Sequence, residues 1–340
     1  MMSRSLAVLA AALVPLFPAT AALALDGVVA SIKPVHSLVA AVMEGVAEPQ
    51  LLAKGAGSPH TYSMRPSEAA MLEKAKVVFW TGPGLELFLE APLDTLAGTA
   101  RVVALSETSG LRLLDLREGG AFEAHAHEDE AGHHDGHQSN AHDHEHEHEG
   151  HAHENHERGG HGDNGALAGK DMHIWLDPEN ARLMVRRIAA VLSEEDPGNA
   201  EAYQANTGKV EARLDALTAE AEAILAGVRE KPFVVFHDAY HYFERRFGLS
   251  AAGSITVNPE TAPGARRLAE IHEKIIDLGA SCVFSEPQFE PKLIDVVTEG
   301  TNVRTGVLDP LGADIEDGPE LYFTLVSNMA RSLAGCLSGR

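Results

Sequence analysis

Gly198–Val228 reads GNAEAYQANTGKVEARLDALTAEAEAILAGV. No proline interrupts this stretch. Ala, Glu and Leu dominate it, and Val210, Leu214, Leu217, Ala221, Ile224 and Leu225 recur at the 3.6-residue spacing of one helix face. Asp196-Pro197 opens it, pairing a capping acceptor with a proline suited to a first helical turn. At 1.5 Å per residue, a helix of about 30 residues is roughly 45 Å long. Such a helix can run along two lobes and join them, and the sequence has the same texture on both sides of it.

Upstream, Gly27–Ile32, Leu51-Leu52-Ala53, Val77–Trp80 and Val102-Val103-Ala104 read as short strands. His36–Val46, Pro66–Ala75, Leu85–Leu96 and Glu179–Leu192 read as helices, the last capped by Asp177 ahead of Pro178. Downstream, Phe233–Phe236, Ala251–Ile255, Cys282–Phe284 and Val303–Leu308 read as strands. Tyr240–Phe247, Pro263–Leu278, Pro291–Glu299 and Pro319–Leu337 read as helices. Strands spaced by helices of this length predict parallel sheets. The expected fold is α/β: an N-terminal lobe over 25–195, a rigid connecting helix over 196–229 and a C-terminal lobe over 230–340.

The 340 residues carry 27 Lys+Arg against 50 Asp+Glu, a net charge of −23. A field of that sign repels nucleic acid and anionic membrane surfaces and attracts cations. Hydrophobic residues make up 44% of the chain, enough for a core. Residues 1–24 combine Arg4, an apolar run from Leu6 to Phe17 too short to span a bilayer, and Ala22-Leu23-Ala24 as a cleavage site. They read as a secretory signal peptide, so a soluble, exported mature chain is expected. Export permits a disulfide, so Cys282 and Cys336 could pair; the alternative for each is a small buried apolar residue.

Histidine is the unusual residue. Of the 19, thirteen crowd into 121–163: His125, His127, His133, His134, His137, His142, His144, His146, His148, His151, His153, His156 and His161. Phe122 is the one large apolar side chain there, so the segment is expected to be a disordered insertion. Its imidazoles and carboxylates suit loose capture of metal ions, each weaker than a preformed pocket.

Three other histidines fall at predicted strand ends or in the turns that follow, where open parallel sheets place ligand sites. His60 lies in Gly57-Ser58-Pro59-His60-Thr61-Tyr62, His173 in Asp171-Met172-His173-Ile174-Trp175, and His237 directly ends Phe233–Phe236. Asp309, in Leu308-Asp309-Pro310-Leu311-Gly312, ends another strand. Three imidazoles and a carboxylate make a tetrahedral set that Zn²⁺ accepts, whereas Mg²⁺ and Ca²⁺ prefer oxygen. Asp309 before Pro310 is equally a turn initiator. His241 is expected to pack behind His237, and His36 and His272 to lie on polar helix faces. No H-E-x-x-H, G-x-S-x-G or Walker A motif is present.

On Gly57–Ser67, Met172–Pro178, Val235–Tyr240, Leu308–Gly312 and the inserted His/acid segment, the chain resembles the ZnuA type of periplasmic zinc-binding protein of bacterial zinc ABC importers. That type belongs to the metal-binding cluster of solute-binding proteins, and the resemblance covers essentially the whole mature chain. It implies two α/β lobes joined by a rigid helix, with the metal in the cleft between them. It carries ligand roles onto His60, His173 and His237, and a carboxylate role onto Asp309. Some zinc members have Glu before the first histidine. Here that residue is Pro59, which leaves Asp309 or water as the fourth ligand. Manganese-specific relatives tend to carry Glu where His237 stands. Cys282 and Cys336 look like the disulfide pair of the zinc-type C-terminal lobe.

The expected function is capture of Zn²⁺ in the periplasm, by a monomer, and its delivery to the membrane permease of a zinc ABC importer. Periplasmic accessory zinc proteins are a second class of partner, through the loop. A manganese or mixed-metal receptor is the alternative. An exported zinc hydrolase, with Asp238 or Glu286 as base, is the remote one.

Overall fold

Val77–Trp80 and Phe233–Phe236 are unbroken apolar runs, as strands covered on both faces require, and both lie in inner strands of four-stranded parallel sheets. The computed structural model describes residues 25–117, 122, 167–256, 263–289 and 292–339. The expected signal peptide over 1–24 and the thirteen histidines between 125 and 161 lie outside the described residues.

The strands are β1 (Val28–Ala30), β2 (Gln50–Leu51), β3 (Val77–Trp80), β4 (Arg101–Ala104), β5 (Phe233–His237), β6 (Gly253–Thr256), β7 (Cys282–Ser285) and β8 (Arg304–Val307). The helices are α1 (Lys33–Val42), α2 (Pro66–Glu73), α3 (Leu87–Leu96), α4 (Pro178–Glu195), α5 (Ala200–Leu225), α6 (His241–Phe247), α7 (Ala265–Asp277), α8 (Lys292–Thr298) and α9 (Leu321–Ser338). The N-terminal sheet is ordered β2-β1-β3-β4 and the C-terminal sheet β6-β5-β7-β8. The two orders match strand for strand, as the repeated pattern of the sequence predicts.

The joining helix α5 has 26 residues, about 39 Å by its rise, shorter than the sequence reading at both ends. Asp196 does not cap it. A 3₁₀ turn over Pro197–Asn199 intervenes, and Asp196 Oδ2 accepts instead from Asn199 Nδ2 and the Tyr203 hydroxyl, both at 2.8 Å. Helix α1 also departs from expectation. All ten of its residues are buried, because it is packed against α4, α5 and α9. His36 therefore lies in the interior rather than on a polar face, with Nε2 3.1 Å from the Pro49 carbonyl, and burial pushes its pKa below the ordinary value.

One apolar cluster runs unbroken from Val28 to Leu337 through α1, α4, α5 and α9, and smaller clusters cover the outer faces of the two sheets. Buried polar bonds cross from one half to the other. Lys33 Nζ donates to the carbonyls of Ala313 (3.1 Å) and Ile315 (2.8 Å). Trp175 Nε1 donates to the Pro310 carbonyl at 2.9 Å, and the Tyr322 hydroxyl donates to the Trp175 carbonyl at 2.7 Å. The Tyr242 hydroxyl accepts from Leu114 N (3.0 Å) and donates to the Asp171 carbonyl (2.7 Å). Arg246 forks onto Asp177, and Arg117 reaches both Asp238 and Glu244. Near Arg117, an antiparallel bridge between Asp115 and Lys170 and a 2.9 Å bond from Leu116 N to the Gly169 carbonyl clamp the two stems of the insertion together.

The disulfide Cys282–Cys336 ties the start of β7 to α9 across 54 residues, a loop whose closure is worth about 4 kcal/mol on a chain-entropy basis. In the N-terminal sheet, Glu86 is wholly buried beneath the turn after β3. It accepts from Thr81 N (2.8 Å), Gly82 N (3.2 Å) and the Ser31 hydroxyl. Gly82 is required there: φ is +138°, and a Cβ would lie 2.1 Å from Ser106 Oγ.

Burial pushes Glu86 up to about 7 from 4.5, against the pull of its hydrogen bonds. A carboxyl whose folded pKa is raised stabilises the fold fully below its unfolded value and loses that contribution as pH rises to the folded one. The loss here is on the order of 3 kcal/mol. In thermal unfolding of the metal-free protein, Glu86→Gln should therefore gain on the parent between about pH 4.5 and 7 and run parallel above. Parallel profiles throughout would contradict the assignment. The cross-lobe bonds and α5 also predict modest lobe movement: X-ray scattering curves with and without metal should nearly superimpose.

Candidate metal centre

His237 is the last residue of β5, an inner strand whose connections leave toward β6 on one side and β7 on the other. That is the switch point of the sheet, where strand ends leave a crevice. His60 comes from the turn after β2 in the other sheet, where its N–H donates to Ser58 Oγ at 3.3 Å. His173 follows no strand, contrary to the sequence reading. It precedes a 3₁₀ turn over Ile174–Leu176, whose buried Trp175 is anchored across the cleft on Pro310.

These three side chains from distant parts of the chain converge. One donor atom from each lies within 4.8 Å of the others, and they are the one such histidine/acid group among the described residues. The Nε2 atoms of His173 and His237 are 3.4 Å apart. Two nitrogens on one tetrahedral zinc, each about 2.0–2.1 Å from it, lie ~3.3 Å apart. His60, on its loop, closes the triangle.

The tautomers are set from behind. His173 Nδ1 lies 2.7 Å from Asp171 Oδ1, and His237 Nδ1 lies 2.7 Å from Glu286 Oε1. A carboxylate accepts, so each Nδ1 carries the proton and each Nε2 presents a lone pair to the cleft. Burial disfavours the charged form of His237, but Glu286, with Asp238 and Asp171 beyond it, outweighs burial and raises its pKa. At this distance the two Nε2 atoms can share a proton or hold one cation between them.

Asp309 is not in the cluster. Its carboxylate turns back onto its own loop and accepts from Leu311 N (3.0 Å), Gly312 N (2.9 Å), Ala313 N (2.5 Å) and Gln288 Nε2 (2.8 Å). Gly312, at φ +76°, lets the chain close round it. His241 opens α6 and also stands outside the group, and His272 Nδ1 faces the Val297 carbonyl at 3.1 Å. Sequence reasoning missed Asp171 and Glu286 as partners of the histidines. Asp171 was within reach, two residues before His173. Glu286 required knowing that β7 lies beside β5, since 49 residues separate it from His237.

The family described as "Zinc-uptake complex component A periplasmic" matches residues 28–336. The "High-affinity zinc uptake system protein ZnuA" of Brucella suis is 52% identical over 313 residues, covering 92% of each chain. In fold, the chain is similar to the periplasmic zinc-binding protein TroA of Treponema pallidum, with a TM-score of 0.71 at 20% identity, over 91% of this chain and 98% of that one. The solute-binding protein FpvC of Pseudomonas aeruginosa, solved with Mn²⁺, gives 0.70 at 20% identity, over 92% and 98%. By the extent of the family match and the identity to its members, this chain belongs to the ZnuA family of periplasmic zinc-uptake components.

Proposed function

We propose that the protein is the periplasmic receptor of a zinc ABC importer: it takes up Zn²⁺ between its lobes on His60, His173 and His237 and yields it to the membrane permease. The observation that carries this is the facing pair of imidazole lone pairs, 3.4 Å apart, with their outer nitrogens committed to carboxylates. At that spacing the two nitrogens can hold one divalent ion between them in place of a proton. Three nitrogen donors favour zinc over manganese, although this fold also serves Mn²⁺.

Among the described residues, no helix is long and apolar enough to cross a membrane, and the relatives are periplasmic zinc-uptake components. The protein is a carrier and not an enzyme. Both acids with a conceivable role as base are otherwise engaged, Asp238 with Arg117 and Glu286 with His237. The His/acid segment over 121–163 would gather further zinc, or report zinc load to the permease.

Calorimetry of the mature chain should show that His60→Ala, His173→Ala or His237→Ala weakens the tight site far more than deletion of 125–161 does. Unchanged tight binding in all three single variants would defeat the reading. Glu286→Gln keeps the bond to His237 but removes its charge, and should weaken zinc about tenfold in chelator competition. An affinity equal to the parent's would show that Glu286 serves folding alone.

A further inference from the structure

We infer that Arg117 is a positioning residue for the metal centre: it clasps Asp238 from the other half of the chain and, through Asp238, keeps His237 in register with His173. The inference rests on the zinc reading above, and Arg117 itself is no part of the ligand group. It starts from the stretch Arg112–Arg117, which leads into the insertion. The Leu114 carbonyl accepts from Asp171 N at 2.9 Å, and the Tyr242 hydroxyl bridges Leu114 N to the Asp171 carbonyl. Asp171 is the acid on His173 Nδ1. Further along the same stretch, Arg117 Nε donates to Asp238 Oδ1 (3.0 Å) and Oδ2 (2.9 Å), and its Nη groups donate to Glu244 Oε2 (2.8 Å) and Oε1 (2.9 Å). Asp238 follows His237 directly. One short stretch is thus bonded to a near neighbour of each facing imidazole.

Charge makes Arg117 the decisive member. Asp238 and Glu244 share its one guanidinium, and their side chains are only 9% and 4% exposed. The Phe122 ring lies over that guanidinium, with Cζ 4.1 Å from the ring centroid. Glu244 has a second anchor, because its Oε2 also accepts from Ala251 N at 2.8 Å. The Asp238 carboxylate has no other partner among the described residues. Without the guanidinium, two buried carboxylates would stand together uncompensated. Asp238 is the one free to give way, and it shares a peptide bond with His237.

Glu286 holds the His237 ring from behind, so the imidazole would stay in the pocket but shift. Metal sites accept ligand distances only within about 0.2 Å. Such a shift therefore weakens the bound state. It should speed release of the ion and leave capture, which is set by encounter, nearly unchanged.

The test compares the full mature chain with Arg117→Met, Asp238→Asn and the double variant. Zinc release into excess chelator and zinc capture from a fluorescent indicator are followed by stopped flow. The visible spectrum of substoichiometric Co²⁺ reads the coordination, and metal-free thermal unfolding monitors the fold. Arg117→Met should release zinc about tenfold faster, capture it within about twofold of the parental rate and alter the cobalt spectrum. Adding Asp238→Asn should make release no faster than in Arg117→Met alone, the signature of two residues acting in series. Parental release and a parental spectrum in Arg117→Met, even with a lowered unfolding temperature, would overturn the inference and leave Arg117 a role in folding alone. Losses that multiply in the double variant would also overturn it, since Arg117 would then not act through Asp238. Should Arg117→Met fail to fold, Asp238→Asn decides, because it loosens the clasp and leaves Arg117 paired with Glu244: faster release with a changed spectrum upholds the inference, and parental behaviour sinks it. Failure of the unmutated chain to bind zinc tightly would instead remove the zinc reading and this one with it.

Discussion

Two imidazole nitrogens from different parts of the chain are held 3.4 Å apart, and the rest of the structure keeps them at that spacing. A tetrahedral ion tolerates donor displacements of only a few tenths of an ångström. His60 and His237 belong to different sheets, and His173 hangs on a turn between them. Such tolerance is reached only if the halves do not slide. The continuous apolar cluster through α1, α4, α5 and α9 removes the shear plane that a two-lobed chain would otherwise have. The buried bonds of Lys33, Trp175, Tyr242 and Tyr322 then fix the register across the cleft. Those of Trp175, Tyr242 and Tyr322 are buried, so the loss of any would strand a polar group away from water.

The charge of the molecule acts at two distances. The −23 of the whole chain draws cations in from solution, an effect that salt screens. Inside the cleft the count is small and local: Asp171 and Glu286 stand behind His173 and His237, and on the proposed zinc reading they would offset the charge of the ion. Separating attraction from coordination in this way lets the ligands be neutral imidazoles, which discriminate by donor type rather than by charge.

Much of the architecture was legible because it is written in local pattern. Apolar runs bounded by proline and glycine gave the strands, and Asp177-Pro178 gave the start of α4. His237 was legible as a ligand candidate because it ends an inner strand. What failed depended on packing between distant segments. His36 looked like a polar-face residue because an isolated amphipathic pattern does not reveal helices on every side. Asp309-Pro310 reads identically as a ligand or as a turn, and only the three backbone N–H groups folded onto the carboxylate tell them apart. His173, grouped with the histidines at strand ends or in the turns after them, instead precedes a 3₁₀ turn whose Trp175 is anchored across the cleft on Pro310.

The bridge from Asp115 to Lys170 and the bond from Leu116 to Gly169 join the two stems before the intervening residues begin. Arg117 is fastened to Asp238 on one side, and Asp171 to His173 on the other. Whatever lies between is spliced into a junction already closed, and each doubling of such a segment costs only about 0.6 kcal/mol. On that ground, a change in the length of the segment should bear little on how Asp171 is held behind His173.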